Sequence, residues 1–273
     1  MDTNIKIGIV SLGLIGGSIF KALKNHNFDL VCVSSNEMTR NTIKEQGFLV
    51  SENLETLKDC GLVFVCSPMR NVLEILDKLE NIVSQNTIVT DVCSLKEFVC
   101  QDKRPYIFIP SHPMAGKETS GFEVSCEDLF KDAKWVLTPF EDTSKEAMNT
   151  LKEIIQLMGA KIVETTAKEH DRAVALISHM PLVLSQALVD AVKDNDLAKT
   201  LASSGFRDMT RLSLSSTVMA LDMIEMNGKN INDAISSVLG ESKELLNSYT
   251  KEKIEKIKDI RNEIYSKDGK NIF

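Results

Sequence analysis

The order strand, glycine turn, helix at the start of this chain limits its fold more than any other feature. Lys6 to Val10 (KIGIV) is a short apolar run, SLGLIGGS follows at once, and IFKALKNHN then repeats apolar residues at helical spacing. Such a start belongs to a parallel α/β domain, in which each strand needs a crossover to reach its neighbour. DLVCVS precedes the helical NEMTRNTIKEQG, FLVS is a short strand, LVFVCS (Leu62 to Ser67) closes at Pro68 before VLEILDKLENIV, and TIVTDV (Thr87 to Val92) leads into SLKEFV. YIFIPSHPMAG adds a further strand and a Gly/Pro-marked loop, while KWVLTP (Lys134 to Pro139) and AKIVET (Ala160 to Thr165) flank the amphipathic SKEAMNTLKEIIQLMG. This repeated order predicts parallel strands, right-handed crossovers and a ligand at the carboxyl ends of the strands.

After Thr166 the period changes. AKEHDRAV through SQALVDAVKDN, the run around TVMALDMIEMN, and NDAISSVLGESKELLNSY read as helices, and strand-like runs become scarce. The 273 residues therefore divide into a Rossmann-type dinucleotide-binding α/β domain, 1–165, and an all-helical domain, 166–273. In the tail, Leu246, Tyr249, Ile257, Ile260 and Ile264 recur at intervals compatible with one helical face among charges of mixed sign. That face suits packing on its own domain or on a symmetric partner rather than on a membrane.

Composition removes other classes. With 32 Lys and Arg against 39 Asp and Glu the net charge is −7, which argues against a globally basic nucleic-acid or anionic-membrane binder while allowing a local cationic pocket. All six cysteines lie in the first half with no CxxC pair, and the four histidines do not cluster, so reduced buried thiols are expected rather than disulfides or a zinc set. The start lacks a secretory pattern, and no uninterrupted apolar stretch approaches the ~20 residues needed to span a bilayer. The expected compartment is the cytoplasm.

In VSLGLIGGS, Gly13 and Gly16 hold the spacing of the last two glycines of GxGxxG, while Ser11 stands where the first would be. Gly13 lets the backbone approach a pyrophosphate, Gly16 permits close helix-to-strand packing, and the helix N-terminus offers free N–H groups and a favourable dipole. Ser11 fits if the turn's dihedrals do not demand glycine. The end of the second strand carries Ser34 and Ser35 in place of the acidic residue that usually holds the ribose, with Glu37 and Arg40 nearby. Serines and an arginine accommodate a 2′-phosphate, Glu37 serves NAD if the loop curls back, and Arg40 is also readable as an exposed helix residue. The candidate cofactor contacts are Ser11, Leu12, Gly13, Leu14, Ile15 and Gly16, then Ser34, Ser35 and Arg40, then Cys66, Ser67 and Pro68; NAD is the expected cofactor, with NADP left open.

Five strings carry a family resemblance: GLIGGS from Gly13, DVCSLK from Asp91, SHPMAGKETSG from Ser111, EHDRAVALISHMP from Glu169 and GFRDMTRLS from Gly205. In order and in both domains, they resemble the prephenate and arogenate dehydrogenases, the TyrA-type enzymes of tyrosine biosynthesis. The resemblance implies a helical domain that dimerises and an active site in the cleft between domains. The implied reaction is oxidation of the ring alcohol of prephenate by hydride transfer to NAD(P)+ with loss of the ring carboxylate as CO2, giving 4-hydroxyphenylpyruvate. His112 matches the family's catalytic histidine, which accepts the hydroxyl proton. Ser94 matches the serine that helps hold His112 and the substrate hydroxyl, and Arg211 the arginine that grips a substrate carboxylate in a bidentate fork.

Arg207 is a second cationic candidate, on the same face as Arg211 if the segment is helical, and His179 in SHMP is expected at the cleft in a pocket or structural hydrogen bond. His170, taken alone, reads as a surface or cap residue. The chain departs from the family at Leu182, where a second histidine is usual, and at Ala220 in place of a frequent tryptophan. Arogenate dehydrogenase is the runner-up within the class; a noncatalytic dinucleotide-dependent ligand sensor is the alternative outside it, and the intact set Ser94, His112 and Arg211 disfavours it.

Overall fold

The computed structural model describes residues 5–117 and 119–266; Glu118, within SHPMAGKETSG, and both chain ends lie outside the described residues. β1 (Lys6–Val10) enters the turn that begins α1 (Leu14–Leu23), and β2 (Asp29–Val33) leads to α2 (Glu37–Glu45). β3 (Leu49–Ser51), β4 (Leu62–Val65), α3 (Met69–Leu79), β5 (Ile88–Asp91) and β6 (Ile107–Phe108) complete a six-stranded sheet in the order β3-β2-β1-β4-β5-β6. Every pairing in it is parallel. β1 and β4 are both buried on nearly every residue, as strands covered on two faces require. The strand order reverses between β1 and β4, the crevice at which open sheets bind ligands.

Two details differ from the sequence reading. The connection from β5 to β6, residues 92–106, is turns and irregular chain rather than a helix. The segment YIFIPSHP forms two strands, not one, because Pro110 interrupts it: β6 stays in the large sheet and β7 (Ser111–Pro113) opens a second. In that three-stranded sheet β7 pairs antiparallel with β8 (Lys134–Leu137), with His112 opposite Val136, and β8 pairs parallel with β9 (Lys161–Glu164). α4 (Lys145–Leu157) makes the crossover between β8 and β9.

The helical half comprises α5 (Ala167–Val174), a π turn (Ala175–His179), α6 (Met180–Ala191), α7 (Asp196–Leu201), α8 (Ser204–Thr210), a 3-10 turn (Arg211–Leu214), α9 (Thr217–Asn247) and α10 (Lys251–Ser266). The segments TVMALDMIEMN and NDAISSVLGESKELLNSY, separate in the sequence reading, are one 31-residue helix, α9. Gly228 and Gly240 are both accommodated within it. The continuous helix Ala167–Ala191 is long and apolar enough to cross a membrane by length and composition, its most apolar 18-residue stretch having mean hydropathy 1.5. No uninterrupted apolar run is present because Ser178, His179, Ser185 and Gln186 punctuate that stretch, and His179 and Ser185 are buried.

One buried cluster fills the α1 and α4 side of the large sheet; Trp135 sits fully buried in it, with Phe130 at 4.9 Å and Phe64 at 6.3 Å between ring centroids. The other, on the α3 side, runs from Val63, Val72 and Leu76 through Cys93 and Leu95 to Val174, Leu182, Ala220 and Met223. It therefore seats the helical domain on the nucleotide domain, each fully buried Leu or Val contributing about 1.5–3 kcal/mol. Arg70 of α3 adds a salt bridge to the buried Asp222 of α9.

Candidate active site

The cofactor half is built from backbone. Ser11 takes a left-handed conformation, φ 67°, so the turn does impose the dihedral that glycine would accept freely, contrary to the condition the sequence reading set for serine. Its N–H donates to Val33 O at 2.9 Å, and its hydroxyl lies 2.6 Å from that of Ser67 at the end of β4. A Cβ on Gly16 would come within 2.1 Å of Ser11 O and 3.1 Å of Cys66 Cβ, whereas one on Gly13 would meet nothing within 4 Å. Gly16 thus lets α1 sit against the strand ends, and Gly13 leaves space above the turn. Neither α1 nor α3 has a side-chain cap or an acidic residue in its first turn; Gly13 and Pro68 occupy their N-cap positions. Two helix N-termini with open N–H groups flank the β1–β4 crevice, which fits a pyrophosphate. Leu12 is buried, and Leu14 and Ile15 are half-buried at the start of α1.

Beyond β2, Ser34 is buried and Ser35 exposed. Arg40 is not an exposed helix residue: its side chain is 16 % exposed, Nη1 donates to Ser34 O at 2.8 Å, and the guanidinium lies 3.5 Å from Glu52. The thiol of half-buried Cys66 is pushed up in pKa by desolvation, with Asp91 and Cys32 adding to the effect.

The other half is built from side chains. His112, half-buried on β7, has Nδ1 2.9 Å from His170 Nε2, and His170 Nδ1 is 2.7 Å from Asp171 Oδ1. Burial pushes the pKa of His112 well below the ordinary imidazole range, and His170, Lys96 and His179 push the same way. Asp171 also accepts the backbone N–H groups of Lys96 and Glu97, each at 2.8 Å. Beneath His112, Lys96 is fully buried, paired with Asp91 and donating to Ser111 O at 2.6 Å. Ser111 Oγ donates to Asp91 O at 2.7 Å and accepts from Trp135 Nε1 at 2.9 Å.

The expectation that Ser94 holds His112 needs correction. Ser94 Oγ donates to Met69 Sδ at 3.3 Å, and His112 Nδ1 faces His170 Nε2 instead. His170 itself is 3 % exposed rather than a surface or cap residue. The capping residue is Glu169, one position earlier: Thr166 and Glu169 form a reciprocal capping box that starts α5 and leaves residues 170 and 171 on its inward face. A T-x-x-E signal is readable in TAKE; that the next two residues turn inward is not.

The π turn then re-aims His179. In an unbroken helix His179 would stand about 180° around the axis from His170, and absorbing one extra residue reduces this to about 80°. His179 is 2 % exposed, with Nδ1 accepting from Asn227 Nδ2 at 3.1 Å; the same amide donates to Asp171 O at 3.0 Å. Burial lowers the His179 pKa to about 4, against an opposing pull from Asp171. Arg207 is in α8 with its side chain 79 % exposed beside Asp208, whereas Arg211 falls past the end of α8 as the first residue of the 3-10 turn, so one uninterrupted helix does not carry both. Both arginines are exposed, on elements that pack against α6. Leu182 and Ala220 are buried together in the interdomain cluster.

A nucleotide crevice together with a histidine pair that joins two domains is the arrangement of an oxidoreductase. Family models agree: the prephenate dehydrogenase nucleotide-binding domain matches residues 19–164 and the prephenate dehydrogenase dimerization domain residues 166–266. The chain belongs to the prephenate dehydrogenase family. It is 29 % identical to prephenate dehydrogenase of Bacillus subtilis, over 97 % of this chain and 71 % of that one. Among solved structures, Synechocystis arogenate dehydrogenase is 31 % identical with a TM-score of 0.83, covering 96 % of this chain and 99 % of the other. Prephenate dehydrogenase from A. aeolicus, in complex with hydroxyphenyl propionate and NAD+, is 27 % identical with a TM-score of 0.81, covering 97 % and 99 %.

Proposed function

We propose that the chain is an NAD-dependent prephenate dehydrogenase of tyrosine biosynthesis. The observation that carries the reading is the placement of His112, on β7 with Nδ1 2.9 Å from His170 of the helical domain and its pKa pushed down by burial. A neutral imidazole there accepts the proton of the ring hydroxyl as a general base. NAD+, bound at the β1–β4 crevice, accepts the hydride. The ring carboxylate then leaves as CO2, its bonding pair aromatises the ring, and the oxygen recovers the proton from His112, so no net proton is released. Ser94, held among the described residues by the weak acceptor Met69 Sδ, turns its hydroxyl to the substrate. Arg211, with Arg207 as a second cation, binds substrate carboxylate from the helical side, and His179 supports the pocket wall through Asn227.

Arg40 favours NAD over NADP, since Glu52 already compensates the charge that a 2′-phosphate would require. The exposed apolar residues Leu176, Ile177, Leu188 and Val189 on one long helix, and Leu246, Ile257, Ile260 and Ile264 farther on, support a homodimer through the helical domain. The tail face named from the sequence does not pack on its own domain. The reading places this dimer in the cytoplasm.

The test is reduced-cofactor formation with prephenate or arogenate, each with NAD+ or NADP+. Turnover is expected with prephenate and NAD+. No turnover in any of the four combinations, from folded protein that binds cofactor, refutes the assignment; a strong preference for arogenate moves it to the runner-up, which the Synechocystis neighbour makes a specific alternative.

A further inference from the structure

Asp171, His170 and His112 form a series in which, with one ring hydrogen on His170, every hydrogen-bond direction follows from the first. Three donors converge on the Asp171 carboxylate: His170 Nδ1 at 2.7 Å and the N–H groups of Lys96 and Glu97 at 2.8 Å. An ionised carboxylate only accepts, so His170 carries its hydrogen on Nδ1. With that single ring hydrogen, His170 presents a lone pair at Nε2, and the group facing it, His112 Nδ1 at 2.9 Å, donates. Nε2 of His112 is left without a hydrogen, as a proton acceptor requires.

We infer that His170 and Asp171 are positioning residues that hold His112 as its Nδ1–H tautomer, and that contact between the two domains maintains this setting. The second clause follows from location. Asp171 lies on α5 of the helical domain, while Lys96 and Glu97 belong to the turn after β5. Separating the domains strips the carboxylate of two of its three donors and frees it to leave His170. The base is thereby set only in the seated arrangement, where Lys96 also supports the carbonyl of Ser111, adjacent to His112. This inference deepens the reading of His112 as the base and rests on it, but the tautomer is measurable without substrate.

The chain has four histidines, so their ring nitrogens are separable by long-range 1H–15N correlation at neutral pH. In the wild type, His112 is expected with Nδ1 protonated and Nε2 bare. His170→Gln places an acceptor oxygen near the position of the lost Nε2 and is expected to keep that tautomer; His170→Leu removes the acceptor and is expected to give a mixture. Steady-state rates should follow, with kcat about 100-fold lower in His170→Leu, KM within about threefold, and most of the loss recovered in His170→Gln. A wild-type His112 protonated on Nε2 overturns the inference even if the protein turns over prephenate. So does an unchanged tautomer in His170→Leu, or equal kcat in the Leu and Gln variants. If no substrate is turned over at all, the spectra of the wild type and the glutamine variant still decide the tautomer, separately from the assignment of function.

Discussion

Around the β1–α1 turn the chain offers a ligand its backbone: two uncapped helix starts, a glycine with open space above it and another packed hard against a carbonyl. Around His112 it offers side chains from β7, α5, the turn after β5, the π turn and α9, joined through Asp171 and Asn227. The first kind of site depends on local dihedrals and a few residues close in sequence. The second depends on parts separated by 56 residues between Asp171 and Asn227, within the helical domain, and by 58 between His112 and His170, which meet only when both domains are in place. A backbone site should fail by steric intrusion and a network site by loss of one member.

The sharpest test of that difference is His112→Ala. We expect kcat to fall by roughly 10²–10⁴-fold, with cofactor affinity and the unfolding midpoint nearly unchanged, because the proposed base acts on substrate and the crevice does not use it. Parallel loss of NAD+ affinity would show that the two halves are not separate. Stopped-flow turnover and cofactor titration measure the two quantities on the same protein.

Acid should weaken the network half first. The folded pKa of His179 is depressed from 6.5 to about 4, so the unfolded chain binds the proton more readily than the folded one. Stability is therefore full above pH 6.5 and declines as pH falls toward 4, with a loss on the order of 3 kcal/mol from this group. Denaturant titrations across that window should show the decline, and His179→Gln should flatten it. An unchanged slope in the variant would assign the acid sensitivity elsewhere.

The glycine pair divides packing from approach. Gly16→Ala forces a methyl against Ser11 O and should destabilise the fold by about 1–3 kcal/mol as well as weakening cofactor binding. Gly13→Ala should leave stability within about 0.5 kcal/mol of wild type, an open-surface change, while raising the Kd for NAD+. Equal thermal shifts in the two variants would contradict the geometry of the turn. The smallest effect is expected from Ser11→Gly, which relieves a left-handed serine but removes its bond to Ser67; these offset, and the net change should stay under about 1 kcal/mol.

The same contrast governs what the sequence reveals. KIGIV, GLIGGS and the alternation after them specify the parallel sheet, since strand period and turn chemistry are local, and β1 runs over Lys6–Val10 as read. Pro110 hides a strand change because a two-residue edge strand and a three-residue one look like a single run. His112 stands out through its motif. His170 does not, because its partner is 58 residues away and a π turn upsets the helical period between it and His179. Arg40 is likewise misread from helical spacing alone, since Glu52 reaches it from beyond β3.

The buried Asp91–Lys96 pair has a consequence for how such a chain can change over generations. Replacing both charges by well-packed apolar residues is often neutral for folding, but removing either one strands the other in the interior at about 3–5 kcal/mol. Asp91 also anchors the N–H groups of Cys93 and Ser111, and Lys96 contributes the N–H that Asp171 grips. These positions therefore form one unit of inheritance: single-step mutational paths through either residue are closed, and the loop beneath His112 is held to its present form by the cost of the first step away from it.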